Sequence, residues 1–163
     1  MTIKVVVGGF ILHIISAYAP QVGLGEEEKR PFWADLDEMI GGLPPTEKLF
    51  IGEDFNRHIG SILGGYDDVH RGCGFGERNG GGVALLDFAK AFGLVVANSS
   101  FPKKEEHLVT FRSLMAKTQI DFLLLRKDDK GLCKDCKVIP SENLTTQHKL
   151  LVMDLEIKMR KRN

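Results

Sequence analysis

The stretch with the clearest chemical potential runs from Leu49 to Asn56 and reads Leu-Phe-Ile-Gly-Glu-Asp-Phe-Asn. Its apolar start ends at Gly52, and a short buried strand that ends in polar groups is how α/β enzymes bring catalytic residues to a cleft. Asp54 and Asn56 are two positions apart, so both face the same side if the strand continues. A carboxylate can bind a hard cation or take a proton, and an amide can orient a water or an oxyanion. Asp and Asn are also ordinary turn formers, so other groups must be found nearby.

Three more polar residues lie at or beside apolar runs. Tyr18 ends the first such run, Asp121 lies inside Ile-Asp-Phe-Leu-Leu-Leu, and His148 precedes the last run. A carboxylate in an apolar strand is costly unless it is paired, so Asp121 requires a partner, and His148 is the best candidate. The alternative for Tyr18 is a strand-end tyrosine whose hydroxyl lies in water.

In their order and spacing, these motifs resemble those of the endonuclease/exonuclease/phosphatase superfamily, which includes deoxyribonuclease I and the abasic-site endonucleases. The sequence is more similar still to the endonuclease domains of LINE-type retroelements and to the craniofacial development protein 2-like sequences related to them. Further motifs of that subgroup are Arg78-Asn79, Leu85-Leu86-Asp87-Phe88-Ala89 and Leu108-Val109-Thr110-Phe111-Arg112. The resemblance covers nearly the whole chain.

The resemblance implies a single domain over residues 1–163 with a layered α/β sandwich of the deoxyribonuclease I-like type. It also implies hydrolysis of a phosphodiester in DNA by an activated water, with Mg²⁺ as the cofactor and Mn²⁺ as a possible replacement. The phosphate is anionic, so this reaction needs positive charge near the developing oxyanion and a base for the water.

By resemblance, five side chains would form the catalytic site. Asp54 would handle a proton and bind the metal, and Asn56 would orient the phosphate or the nucleophile. His148 would contact the phosphate while a hydrogen bond with Asp121 fixes its tautomer. Tyr18 would donate a hydrogen bond to the phosphate.

Other positions extend this site or depart from the superfamily pattern. Arg112 can reach a phosphate, although a surface role suits it equally. Glu53 stands where the superfamily has glycine and is a second candidate metal ligand, whereas Gln147 stands where it has an aspartate. The superfamily's metal-binding glutamate lies on a half-domain before the Tyr18 strand, and nothing upstream of Ile3 supplies it. We therefore expect a domain that is incomplete at its N-terminus, binds metal weakly and has little or no activity.

Two other functions are compatible with the same sequence. The chain could be a non-catalytic remnant that binds a partner through surface exposed by the missing part of the sandwich. It could also be a phosphatase of small phosphoesters, because no feature of the sequence selects the substrate.

The composition limits the remaining choices. The 22 basic and 22 acidic residues cancel, so no global positive field attracts nucleic acid. Three cysteines do not suggest a disulfide scaffold, and the Cys133-x-x-Cys136 motif lacks the second pair of a structural zinc site. These thiols fit a reducing, intracellular compartment, nuclear or cytoplasmic. A signal peptide fits the N-terminus less well than a β-hairpin at Gly8-Gly9, and no apolar run has transmembrane length. The oligomeric state is left open.

Apolar periodicity predicts two helices among several strands, an arrangement typical of a layered α/β domain. The predicted helices cover 31–40 and 83–92, and the segment 57–82 between them is glycine-rich and predicted to be a mobile loop over the site. The predicted strands cover 3–7, 10–18, 48–52, 94–97, 109–112, 120–125, 137–139 and 150–157.

Overall fold

The computed structural model describes residues 1–17, 26–54, 58–145 and 147–158, and for residues 26–29, 53 and 54 it describes only the backbone. Helices and strands alternate irregularly along the chain, as the apolar pattern predicts. The helices are α1 (Glu26–Gly41) and α2 (Gly80–Ala91). The strands are β1 (Thr2–Val7), β2 (Phe10–Ser16), β3 (Lys48–Asp54), β4 (Leu94–Val96), β5 (Phe111–Arg112), β6 (Lys117–Thr118), β7 (Asp121–Arg126), β8 (Cys133–Asn143) and β9 (Lys149–Leu155).

A five-stranded sheet with the order β1-β2-β3-β7-β4 forms the centre of the structure. β2 and β3 are parallel, and the other neighbours are antiparallel. β1 and β2 form the predicted hairpin, in which Gly8 and Gly9 have φ of 58° and 83°. Two-residue hairpin turns with positive φ at both positions match the twist of the flanking strands, which is why glycine is favoured there.

One face of this sheet, called here the helix-side face, packs against α1 and α2. It carries Ile15, Ile51, Phe122 and Leu124, which contact Leu36 and Ile40 of α1 and Leu85, Leu86 and Ala89 of α2 in one buried cluster. The other face, called the open face, carries Leu12, Ile14, Phe50, Leu123 and Leu125 and packs against the two-stranded β8–β9 sheet. The structure is therefore layered, with the helices on one side and a small second sheet on the other.

The segment between β3 and α2 packs against the helix-side face, which differs from the predicted mobile loop. Ile59, Val69 and His70 are buried in it. The Arg78 guanidinium holds the segment by donating to backbone carbonyl oxygens of Ile59, Ile62 and Leu63. At Gly60 and Gly74 a Cβ atom would lie 3.0 Å or less from backbone atoms of the same segment, so glycine is required there for close packing.

The start of α2 is fixed by the same segment. The Asn79 side chain caps the helix by accepting from the Gly82 N–H (2.8 Å), and it also accepts from the His58 N–H (3.3 Å). A Cβ atom at Gly82 would collide with the His58 carbonyl. The helix therefore begins at Gly80, before the predicted start at Val83, because the cap precedes the apolar stripe.

Cys133 and Cys136 lie in β8 and are buried between the two sheets. Burial raises the pKa of the Cys133 thiol to about 11 and also raises that of Cys136, so both are protonated at neutral pH. Protonated thiols are poor metal ligands. Both cysteines are core side chains.

Candidate active site at the end of the central sheet

The centre of the candidate site is a hydrogen-bonded pair of side chains. His148 Nδ1 lies 3.0 Å from Asp121 Oδ2, and the two side chains are 24% and 13% exposed, respectively. This geometry confirms the pairing predicted from the burial of Asp121. Because a carboxylate accepts the Nδ1–H, the orientation and tautomer of the imidazole are fixed.

Asp121 begins β7, and two buried polar side chains hold the backbone there. Thr110 Oγ1 accepts from the N–H groups of Ile120 (3.0 Å) and Asp121 (3.1 Å). Asn98 Nδ2 donates to the Asp121 carbonyl (3.0 Å), and its Oδ1 accepts from the Leu123 N–H (3.2 Å). Thr110 and Asn98 are 0% and 3% exposed, so these bonds are shielded from water. The pairing between β4 and β7 does not extend to Asp121, so these hydrogen bonds hold its carboxylate in place instead.

His148 lies between β8 and β9, where hydrogen bonds hold its backbone. Its backbone N–H donates to Thr145 Oγ1 (3.1 Å), and its carbonyl accepts from the Leu144 N–H (3.0 Å). The adjacent Lys149 N–H donates to the carbonyl of Thr110 (2.7 Å). Thr110 therefore bonds to the backbone of Asp121 through its side chain and to that of Lys149 through its carbonyl. These two bonds connect β7 to the β8–β9 turn.

The backbone register places Asp54 next to this pair. In the antiparallel ladder between β3 and β7, Asp54 is directly opposite Asp121, while Glu53 is opposite the buried Phe122. Directly opposed residues have Cα atoms roughly 4.5–5.5 Å apart. Positions one apart in a strand alternate between its faces, so the register groups Asp54, rather than Glu53, with Asp121. Tyr18 and Asn56 lie outside the described residues.

Two cationic residues, Arg112 and Lys149, directly follow the bridged residues Phe111 and His148 in the chain. Arg112 and Lys149 together line two open clefts of about 190 Å³ and 440 Å³. The Arg112 N–H donates to the carbonyl of Gln147 (2.9 Å), and Gln147 lines the larger cleft. Neither cleft is lined by His148 or Asp121.

Three residues of this arrangement were missed at the sequence level: Asn98, Thr110 and Lys149. Lys149 directly follows His148 in the sequence, and this adjacency was the available signal. Asn98 and Thr110 act through hydrogen bonds between distant segments. Thr110 belongs to the Leu108–Arg112 motif, but the motif does not indicate this role, and no local pattern indicates Asn98.

A metal centre requires several ligands close together. Among the residues that the structure describes, no group of three or more His, Cys, Asp or Glu side chains could hold a metal ion. One oxygen of Asp121 already accepts a hydrogen bond from His148, and Asp54 and Glu53 are described by backbone alone. The described side chains therefore provide no complete set of oxygen ligands for Mg²⁺.

No helix among the described residues is long and apolar enough to cross a membrane.

Comparison with curated proteins confirms the resemblance derived from the motifs. The chain is 29% identical over 158 residues to craniofacial development protein 2 of Tragulus javanicus and 28% identical over 158 residues to that of Bos taurus. Each alignment covers 93% of this chain and 26% of the relative, so the chain spans about a quarter of their length. No family model matches the chain.

Comparison with solved structures shows the fold. The endonuclease domain of TRAS1, a telomere-specific non-LTR retrotransposon, matches with a TM-score of 0.65 at 14% identity. The 3′-5′ exonuclease NExo of Neisseria meningitidis also matches with a TM-score of 0.65 at 14% identity. An endonuclease/exonuclease/phosphatase family protein of Leptotrichia buccalis gives 0.58 at 17%. Each match covers 96% of this chain, but 63%, 65% and 52%, respectively, of the solved chain.

Proposed function

We propose that this chain, which has the endonuclease/exonuclease/phosphatase fold and resembles craniofacial development protein 2, is a phosphodiester hydrolase acting on DNA. The observation that carries the proposal is the Asp121–His148 pair, which has Asp54 beside it in the register of β3 and β7. Arg112 and Lys149 are cationic residues beside the Phe111–His148 bridge. Two of the matching solved structures are a retrotransposon endonuclease domain and an exonuclease, which supports a nucleic acid as the substrate class.

In the proposed reaction, His148 contacts the scissile phosphate in the orientation that Asp121 sets. Arg112 and Lys149 attract the phosphate and offset its negative charge. Asp54 handles the proton of the attacking water, and Asn56 and Tyr18 orient the phosphate, as the resemblance implies. A base for the water and cations for the phosphate are the two requirements of this hydrolysis.

A divalent metal, when bound, would stabilise charge on the phosphoryl oxygens. We propose Asp54 as its main protein ligand, with Mg²⁺ as the metal and Mn²⁺ as a replacement. Glu53 is the weaker candidate, because in the register it is opposite Phe122 rather than Asp121. Since hard cations prefer several carboxylate ligands and Gln147 stands where the superfamily has an aspartate, we expect weak metal binding and slow hydrolysis.

Nicking of supercoiled plasmid DNA by the purified chain, with Mg²⁺, Mn²⁺ or EDTA, tests the proposal. We expect slow, metal-dependent nicking that falls at least about a hundredfold in Asp54→Ala and in His148→Ala, as the loss of a proton-transfer or oxyanion-stabilising group costs in other enzymes.

The matched control is His13→Ala. His13 Nε2 lies 2.9 Å from Glu47 Oε2, so this variant removes a similar histidine–carboxylate pair elsewhere in the structure. Nicking that survives both Asp54→Ala and His148→Ala would refute the proposed site. Fast nicking abolished by Asp54→Ala would support the site but contradict the expected weak metal binding.

A small phosphoester is the alternative substrate. Hydrolysis of p-nitrophenyl phosphate that His148→Ala abolishes, without any nicking of DNA, would favour the phosphatase over the nuclease.

A further inference from the structure

The open face of the central sheet is only partly covered. Over β7 and β4, the side chains of Leu125 and Val95 are buried against β8 and β9. Over β1 and β2, Ile3 and Ile14 are 46% and 40% exposed, although they are directly opposite in the β1–β2 ladder. Directly opposed residues project to the same side of a sheet, so these two isoleucines form a continuous apolar strip.

A groove of about 340 Å³ separates this strip from β9. We call it the inter-sheet groove. Most of its lining is apolar, with Leu12, Ile14, Phe50 and Leu123 on the central sheet, Leu151, Met153 and Leu155 on β9, and Leu144 at one end. Its polar members are Ser16, Asp121 and Lys149. All seven residues of β9 retain some exposed surface, whereas neighbouring β8 has the buried side chains Cys133, Cys136 and Val138. The groove is therefore apolar but not closed.

The outer edge of β9 has the chemistry of a strand that lacks a neighbour. β9 pairs with β8 on one side. On the other side, the N–H of Lys149, the first residue of β9, donates to the carbonyl of Thr110. Every second N–H group of a strand points to the same side, so those of Leu151, Met153 and Leu155 point to the outer edge, as that of Lys149 does. Among the described residues, none of these three groups has a backbone partner there. An unpaired edge of this kind is a template for another strand.

We propose that the inter-sheet groove accepts an extended segment of another polypeptide, which adds as a third strand to β9. Its alternate apolar side chains would cover Ile3 and Ile14. A polypeptide fits better than a lipid or a small apolar ligand, because the edge of β9 needs backbone partners as well as apolar contact. This chain covers 52–65% of the length of solved proteins with the same fold. The fold therefore accommodates more polypeptide than the described residues of this chain provide.

Binding of a defined peptide tests this proposal without reference to hydrolysis. The probe is fluorescein-labelled Lys-Thr-Val-Thr-Val-Thr-Val-Thr-Lys, titrated with the whole chain and followed by fluorescence anisotropy. Hydrogen exchange with and without the unlabelled peptide reports where it binds. We expect saturable binding that slows exchange in β9 and leaves exchange in the edge strand β1 unchanged.

Two N-methylated versions of the peptide separate strand pairing from apolar adsorption. One is methylated at the valine nitrogens and the other at the threonine nitrogens. A strand bonds to its neighbour through every second residue, so we expect one version to bind and the other to fail. Equal binding, or equal failure, of the two versions would overturn the proposal.

Variants of the groove provide the second arm of the test. Ile14→Asp and, independently, Leu144→Asp should each weaken binding at least tenfold. Ile62→Asp is the control, since Ile62 is exposed in the segment before α2 and lies outside the groove. Binding that both groove variants retain, or protection of β1 instead of β9, would overturn the proposal. So would self-association in sedimentation that Ile14→Asp abolishes, because a second copy would then be the occupant.

Discussion

The two faces of the central sheet carry similar apolar side chains, but only the helix-side face is closed. On β7, Phe122 and Leu124 of the helix-side face have no exposed surface, whereas Leu123 of the open face is half-buried. Among the described residues, two helices pack on the first face, and the strands β8 and β9 pack on part of the second. The difference places most of the packing on the helix-side face and leaves apolar surface of the open face exposed.

The candidate active site belongs to the open side of this division. Asp121 lines the inter-sheet groove and pairs with His148 at its end. Titratable groups in a partly open region stay accessible to a substrate, while buried ones on the closed face serve packing. Four predictions test how different the two faces are.

The largest expected difference is between two neighbouring leucines of β7. Leu124→Ala should lower the free energy of unfolding by about 2–5 kcal/mol, because it leaves a cavity in a closed core. Leu123→Ala should lower it by less than about 2 kcal/mol, since water can enter the space on the open face. Urea denaturation of the two variants measures both values. Equal losses would show that the open face is as well packed as the helix-side face.

A second test concerns the contact between α2 and the segment before it. Gly82→Ala should destabilise the protein by about 1–3 kcal/mol or more, because the added methyl collides with the His58 carbonyl. Gly80→Ala is the matched control in the same helix turn, since no atom lies within 4 Å of its Cβ position. The control should be neutral or slightly stabilising. Thermal denaturation of both variants measures the difference. A neutral effect of Gly82→Ala would show that the contact between α2 and His58 is loose.

The third test uses pH. Burial is the main cause that lowers the pKa of His70, and the nearby Arg78 charge lowers it further, although the Gly60 carbonyl opposes this shift. Burial also lowers the pKa of His58. The unfolded chain therefore takes up protons that the folded chain does not, and stability should fall as pH drops below the ordinary histidine pKa of about 6.5.

Urea midpoints at about pH 7.5 and about pH 5.5, on either side of that pKa, measure the loss. His70→Gln should lose less stability between the two pH values than the wild-type chain, even if it is less stable at both. An unchanged pH dependence in this variant would mean that His70 titrates as it does in the unfolded state.

The smallest expected effect is on the open face itself. Ile14→Thr keeps the β-branched shape that suits a strand and removes apolar contact from a side chain that is already partly exposed. We expect a loss of less than about 1 kcal/mol by urea denaturation. A loss as large as that of Leu124→Ala would mean that the inter-sheet groove is closed in solution.

Sequence patterns predicted the elements with strong local signals. The hairpin at Gly8-Gly9, the end of α1 at Gly41 and the central parts of β3, α2 and β7 agree with the structure. The start of α1 at Glu26 was missed, because Pro31 suggested a helix start although the glutamates before it suit a first helical turn. β8 is far longer than the predicted strand at 137–139, since its polar residues Lys134 and Asp135 hide the apolar alternation.

The sequence alone determined that Asp121 needed a partner, because a carboxylate in an apolar strand is unstable without one, and it identified His148 as that partner. It also determined the order of the elements and the resemblance to a nuclease superfamily. Only the tertiary structure decided that Thr110 and Asn98 hold the pair and that Asp54 is opposite Asp121. It also decided that, among the described residues, the outer edge of β9 is largely unpaired. These features depend on contacts between segments far apart in the chain. Local patterns record which face of an element is apolar, but not what covers it.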